Sequence, residues 1–454
     1  MASTKTPPPA SEGDYVMKYF KFGLEFEMFT LDQKGYVIDA ADQVIKRVQE
    51  NAPNVNITKE AGRSMVELGT NPHVKLEQVM TEMMKDFETL LYHADQEGVV
   101  IYPYSTYPGD FTPSMHESKR YLLQENIFGK RRWRIAGRCV GMHCHYTLPW
   151  GVFDSDTKTI KSLTYSKNKQ SLVNIYNLFI AMDPALTTFT QSSPFYQGKN
   201  LGKNCRMIAY RGGFTFDNPQ GLYAKLPKYG GLQQYETTGT DLVHIIKRRF
   251  RQWGELVAQH SPKAGVTSKH GSILDTTWNP VKINAHGTME QRGMDMNTPQ
   301  VVSAVALIIK YLAREVQANF VEVLPSDIGI LEPFKYDGES ILIPPHTYVR
   351  HYLQPRAAFE GLENPDVFNY CSALLKLAYQ LVPDSRHPLL APLDTMLKEK
   401  KTTSDRILET ARELGYKPGS KLSRPLAAQL ALSLSRDLYR EIILTRQALE
   451  NSGE

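Results

Sequence analysis

A two-residue alternation runs through Arg138–Tyr146, read R-C-V-G-M-H-C-H-Y. In an extended strand Val140, Met142, Cys144 and Tyr146 fall on one face, and Cys139, Gly141, His143 and His145 on the other. If the stretch is a strand, two histidines two residues apart on its non-core side are placed to bind a metal or a phosphate. Three other stretches repeat the scheme with acids. In Lys18–Leu31, Phe20, Phe22, Leu24, Phe26 and Met28 share one face, and Glu25 and Glu27 share the other. In Thr58–Pro72, Met65, Glu67 and Gly69 alternate with Val66 and Leu68, and Glu60 lies just upstream. In Trp278–Asp295, a strand over Thr288–Arg292 puts Thr288, Glu290 and Arg292 on one side.

Two readings fit each stretch taken alone: strand residues facing solvent, or ligands gathered around a cation or phosphate. The remaining sequence narrows the choice. The chain has 454 residues, 41% hydrophobic and 22% charged, which suits a globular protein with a sizeable core. Its 53 basic and 48 acidic residues are spread along the chain, which argues against a nucleic-acid partner. The basic runs Lys130–Arg134 and Lys247–Arg251 read as solvated faces. Four cysteines without CxxC or zinc spacing fit a reducing, cytoplasmic setting. Residues 1–15 read as a disordered tail without the apolar core of a secretory signal. The longest apolar run, Val301–Ala313, is too short for a bilayer, so no membrane partner is expected.

Between the acidic strands, the spacing of Leu76, Val79, Met80, Met83, Phe87, Leu90, Leu91 and Ala94 predicts an amphipathic helix. Further helices are expected over Asp39–Gln49, residues 115–128, Ser171–Thr190, Asp241–Gln259 and Pro299–Val323, and Val99–Tyr102 reads as a strand. Ser192–Arg206 and Asp217–Thr240 read as glycine-bearing loops, the second suited to a flap. Pro325–Pro365 reads as loop, followed by helices near Asp366–Leu381, Ser404–Leu414 and Pro425–Leu449. One catalytic domain is expected over 16–454, with a sheet core at about 16–323 and a mainly helical part at about 324–454.

Four or five carboxylates with histidine and no cysteine set favour hard cations, Mg²⁺ or Mn²⁺. Carboxylate-held Mg²⁺ commonly binds ATP phosphates. There is no Walker A loop and no kinase signature set. The pattern therefore points to metal-dependent phosphoryl chemistry carried on a sheet.

G-L-E-F-E, V-E-L-G-T-N-P before an amphipathic helix, G-M-H-C-H, S-S-P-F-Y-Q-G and G-T-M-E-Q-R-G-M-D occur in that order. In this order they resemble the carboxylate–amine ligase family, including the second type of glutamate–cysteine ligase, and G-M-H-C-H is similar to a glutamine synthetase histidine motif. The resemblance covers roughly residues 20–300. It implies an α+β fold, a curved antiparallel sheet funnel with helices on its outer face, like the glutamine synthetase catalytic domain. It implies an ATP- and Mg²⁺-dependent ligase that forms a γ-glutamyl-type amide through an acyl phosphate, with glutamate and cysteine the leading substrates. By the same resemblance Glu25, Glu27, Glu60, Glu67, His143 and Glu290 match metal ligands, and Arg292 the arginine that steadies the transferred phosphate. His145 and Arg206 match positions near nucleotide phosphates. Alternatives within the resemblance are a ligase for another amine and a catalytically weak ATP-binding regulator. The expected partners are an amino-acid carboxylate and an amine, and a homo-oligomer is left open. Q-R-G-M-D departs from the family, which usually has an apolar residue between acid and arginine, and Trp278-Asn279-Pro280 is a weak form of its tryptophan-rich approach. Both departures bear on the acceptor pocket.

Overall fold

The first acidic stretch forms strand β1 (Phe22–Leu31), which pairs on both sides. The computed structural model describes residues 20–161, 165–261 and 272–451, so the expected tail lies outside the described residues. The other strands of the main sheet are β2 (Asn56–Lys59), β3 (Met65–Gly69), β4 (Val100–Tyr102), β5 (Gly141–Thr147), β6 (Val281–Ile283) and β7 (Thr288–Asp295). They run in the order β6-β7-β5-β1-β3-β2, with β4 also on β1, and every pairing is antiparallel.

The alternation settles which face is packed. Phe22, Leu24, Phe26 and Met28 are at most 1% exposed, and register sets Phe26 between Leu68 and Met142 and Leu24 beside Cys144. Helices cover this apolar side. Beyond α1 (Ala41–Asn51), the expected amphipathic helix is α2 (Leu76–Gln96), whose Phe87 ring lies 5.1 Å from that of Phe26. After α3 (Lys119–Phe128), α4 (Lys167–Phe189) is buried along nearly its whole length, which explains its lack of a polar stripe. After α5 (Cys205–Arg211) and α6 (Gly239–His260) comes α7 (Pro299–Ala318), which packs on α4.

The helix expected to reach Val323 stops at Ala318. Phe320 takes φ of +55°, a left-handed conformation that ends the helix. The chain then enters β8 (Glu322–Pro325), which pairs in parallel with β9 (Ser340–Ile343). Part of the expected loop at Pro325–Pro365 is therefore strand, and short helical turns fill much of the rest. Ser192–Arg206 likewise holds a small hairpin, Phe195–Tyr196 with Lys199–Asn200, before α5. The C-terminal helices are α8 (Pro365–Leu381), α9 (Ala391–Glu399), α10 (Thr403–Glu413) and α11 (Arg424–Asn451), the last lying on α2 and α7.

A second cluster stands on the polar side of the sheet. The ring of Phe128 in α3 lies 5.3 Å from Tyr223, 5.9 Å from Trp278, 6.1 Å from Trp253 and 6.4 Å from Trp133. These rings lock α3 to α6 and to the approach to β6. They form one wall of a cleft whose floor is the acidic face of the sheet.

Candidate active site

Antiparallel register brings the acids and histidines together. Glu25 lies opposite His143, Glu27 opposite Glu67, and Glu290 opposite His145. Directly opposed residues hold their Cβ atoms about 5 Å apart, so these side chains must meet. His143 Nδ1 is 3.1 Å from Glu25 Oε2 and 3.7 Å from Glu290 Oε1, and its Nε2 is 3.7 Å from Glu27 Oε1. His145 Nε2 is 3.1 Å from Glu25 Oε2. Its Nδ1 lies 3.0 Å from Thr288 Oγ1 and 3.1 Å from Asn284 Nδ2. Glu60, from the loop before β3, reaches the Glu27–Glu67 side. His145 is thus as close to the carboxylates as His143 is.

The charges divide the cluster into two halves. Around Glu25 and Glu290, cations balance the acids. Burial pushes the Glu25 carboxyl up, but hydrogen bonds from His143 and His145 together hold it well below the usual range. Burial opposes ionisation of Glu290 too, yet Arg292 and His145 pull it down to about 2. In the other half His143, Arg206 and Arg292 act on Glu27, but burial and like charge outweigh them. Burial and the nearby Glu60 push Glu27 up to about 7. Burial, Glu60, Glu25 and Glu27 push Glu67 well above its ordinary value. Lys59 does not relieve them, because its ammonium pairs with Asp42 at 2.5 Å.

Three sets of donor atoms lie within 4.8 Å of one another: Glu25, Glu67 and His143; Glu25, His145 and Glu290; and Glu27, Glu60 and Glu67. His143 Nε2 is buried and lacks a hydrogen-bond partner among the described residues. A surplus of carboxylate charge beside an orphaned imidazole nitrogen fits a hard divalent cation.

Arginines meet this cluster through a kink in β7. Gln291 pairs with Cys144 but Met294 with Met142, so β7 carries one extra residue at Arg292–Gly293. The strand expected to end at Arg292 therefore runs on to Asp295. Arg292 Nη1 donates to Glu290 Oε1 at 2.9 Å. Arg206 holds the bulge from behind, its Nη1 donating to Gly293 O at 3.2 Å and its Nη2 to Arg292 O at 3.4 Å. Glycine is needed at both contacts. A Cβ on Gly141 would collide with the Arg206 guanidinium, and one on Gly293 would lie 2.6 Å from Asp183 Oδ1 and 2.8 Å from Arg211 Nη2. Asp183 and Arg211 form a buried two-pronged ion pair at 2.8 Å that Gln354 Nε2 joins at 2.7 Å.

Every residue singled out in the sequence lines this cleft: Glu25, Glu27, Glu60, Glu67, His143, His145, Arg206, Glu290 and Arg292. Sequence reasoning missed Lys282, which registers with Glu290 and is only 8% exposed. The alternation V-K-I was a usable signal for it. It also missed Arg120 and Gln124 on α3, and the Asp183–Arg211 pair. The departure at Gln291 does not touch the pocket: Gln291 is buried on the core face, donating to Phe179 O at 3.4 Å. The cleft encloses about 370 Å³, within the ~300–1000 Å³ typical of a small-ligand site.

The model of glutamate-cysteine ligase family 2 matches residues 21–325, two thirds of the chain and all strands of the main sheet. The chain belongs to this family. Among its relatives is a Clavibacter sepedonicus protein provisionally named glutamate–cysteine ligase 2, 22% identical over 66% of this chain and 67% of that one. The fold resembles the glutamate–cysteine ligase of Francisella tularensis, solved in complex with AMP, with a TM-score of 0.56. That likeness is 12% identical and spans 95% of this chain and 92% of the other. A bifunctional glutathione synthetase from Pasteurella multocida gives a TM-score of 0.54 at 13% identity over 92% of this chain. The chain spans about half (52%) of that protein's length. The family 2 chain is a ligase of the carboxylate–amine type, and dependence on ATP and a divalent metal is typical of its family. No helix among the described residues is long and apolar enough to cross a membrane.

Proposed function

We propose that this family 2 ligase joins the γ-carboxylate of glutamate to an amine, cysteine being the leading acceptor. ATP first phosphorylates the carboxylate. The amine then attacks the acyl phosphate, an amide forms and phosphate leaves. The observation that carries this reading is the single polar sheet face on which Glu25, Glu27, Glu67, His143, His145 and Glu290 converge beside the half-buried Arg292.

The first step brings two anions together, so its main obstacle is electrostatic. Divalent metal held by Glu25, Glu67 and His143, by Glu25, His145 and Glu290, and by Glu27, Glu60 and Glu67 would offset that repulsion. Arg292, aimed by Glu290, would hold the equatorial oxygens of the transferring phosphoryl group. Glu290 thus serves both as a ligand and as the brace of this guanidinium. Arg206 would act through the bulge carbonyls, and His145 from beside the nucleotide phosphates. A sheet curved into a funnel, as in glutamine synthetase, belongs to the same reading, with nucleotide and amino acid meeting over its floor.

The test is ADP release with Mg²⁺-ATP and glutamate, adding each of the twenty amino acids and simple amines in turn. Stimulation by cysteine alone supports the leading pair. Stimulation by another amine keeps the ligase and changes the acceptor. ATP binding without turnover for any pair would leave a regulatory protein on a ligase fold.

A further inference from the structure

The acids, histidines and Arg292 account for the phosphoryl chemistry of the cleft and leave one of its walls unused. That wall is α3. Arg120 and Gln124 lie four residues apart on it, on one face and about 6 Å apart along the axis. Both line the cleft. Gln124 is 1% exposed, and its amide Nε2 is buried with no hydrogen-bond partner among the described residues. An orphaned buried donor is costly, and one facing a binding cleft is best explained by a ligand acceptor. Arg120 stands at the rim and forms no ion pair or hydrogen bond among the described residues. Its charge reaches Tyr223 and Lys282, which also line the cleft. The helix is fixed: Ser118 caps it, accepting from Tyr121 N at 3.1 Å, and Phe128 anchors it in the cluster of Trp133, Tyr223, Trp253 and Trp278. A pair of donors on a rigid helix is preorganised for recognition.

The geometry points to Arg120 and Gln124 as the recognition site for the main-chain carboxylate of an amino-acid substrate, the carboxylate that is not phosphorylated. The charge supports a carboxylate over a phosphate. One guanidinium and one neutral amide match a single negative charge, whereas the polyphosphate charge is met at the sheet by Arg292 and the proposed metal ligands. This inference rests on the ligase reading above. It adds that one substrate must carry a free carboxylate besides the reacting group, so a simple amine or monocarboxylic acid is a poor replacement for it.

Two substrates carry such a group, glutamate and an amino-acid acceptor, and the test separates them. KM for glutamate, cysteine and ATP is measured in wild type, Arg120→Met, Gln124→Met and Arg120→Lys. Inhibition constants are measured in parallel for 4-aminobutanoate, which is glutamate without its main-chain carboxylate, and for cysteamine, which is cysteine without it. The two methionine variants should raise KM for one amino acid about 10- to 100-fold while the inhibition constant of its decarboxylated analogue does not follow. Arg120→Lys should recover part of the loss. KM and the analogue's constant rising in proportion, neither amino-acid KM moving, or a rise confined to ATP would each overturn the assignment with the ligase reading intact. Wild-type protein that releases no ADP with glutamate and any acceptor would overturn the ligase reading, and this inference with it.

Discussion

Beside Glu27 and Glu60, the Glu67 carboxyl is pushed well above its ordinary value, by burial first and then by the like charges of Glu60, Glu25 and Glu27. Its isostere should therefore suit the metal-free protein better than the native residue. Glu67→Gln is expected to raise thermal stability in chelator by about 1 kcal/mol and to abolish the added stability given by Mg²⁺. A loss of stability in chelator would contradict this. Arg292→Ala should cost ~10³-fold in turnover with ATP still bound, read by nucleotide binding beside ADP release. Loss of ATP binding would make the arginine a nucleotide ligand instead. Asp295, at the end of β7, carries a separate pH signature. Burial pushes its carboxyl up to about 6, against Arg206 and the hydrogen bonds from Ser193 and Ser192 N, and its Oδ1 is left without a hydrogen-bond partner among the described residues. A raised carboxylate favours the folded state below its unfolded value and loses that contribution as pH rises through about 6. Asp295→Asn should match wild type near pH 4 and exceed it by up to about 3 kcal/mol near pH 8, measured by denaturant unfolding. A difference that does not change with pH would contradict the assignment.

Among the elements, β7 does the most to shape the site, because its extra residue lets Glu290 and Arg292 meet while Asp295 stays in the core network. Gly141 permits the Arg206 guanidinium to lie against that bulge. Gly141→Ala should cost about 1–3 kcal/mol in unfolding free energy and lower turnover as well. Unchanged stability would show that Arg206 is not clamped there. The floor of the site was legible in the sequence because period-2 alternation in β1, β3, β5 and β7 reports the face of each acid directly. The bulge was not, since an inserted residue breaks the very alternation by which a strand is read. Arg120 and Gln124 were missed for a different reason. Helix α3 is short and weakly amphipathic, so its sequence does not say which face looks into a cleft. The Asp183–Arg211 pair joins α4 to α5, and nothing local in either segment marks a partner 28 residues away.

Across the whole molecule, one sheet separates two environments: an apolar side closed by α2, α4 and α7, and a polar side open to the cleft. The family match ends at residue 325, yet α11 lies on α2 and α7 and buries Ala427, Leu430, Ala431, Leu438 and Ile442. The C-terminal helices therefore belong to the same core. A chain ending at residue 325 should expose that surface and fail to unfold cooperatively in a calorimeter, with strong binding of a hydrophobic dye. A cooperative transition in that fragment would contradict the shared core. What the sheet is proposed to do with its polar side is to bring a carboxylate and a triphosphate into reaction. Transfer of oxygen tests this most directly. Glutamate labelled with ¹⁸O in its γ-carboxylate is turned over with Mg²⁺-ATP and the best acceptor, and the released phosphate is analysed by mass. Attack of the carboxylate on the γ-phosphorus predicts one labelled oxygen in each phosphate formed. Phosphate released with no label, while amide accumulates, would contradict the acyl-phosphate route.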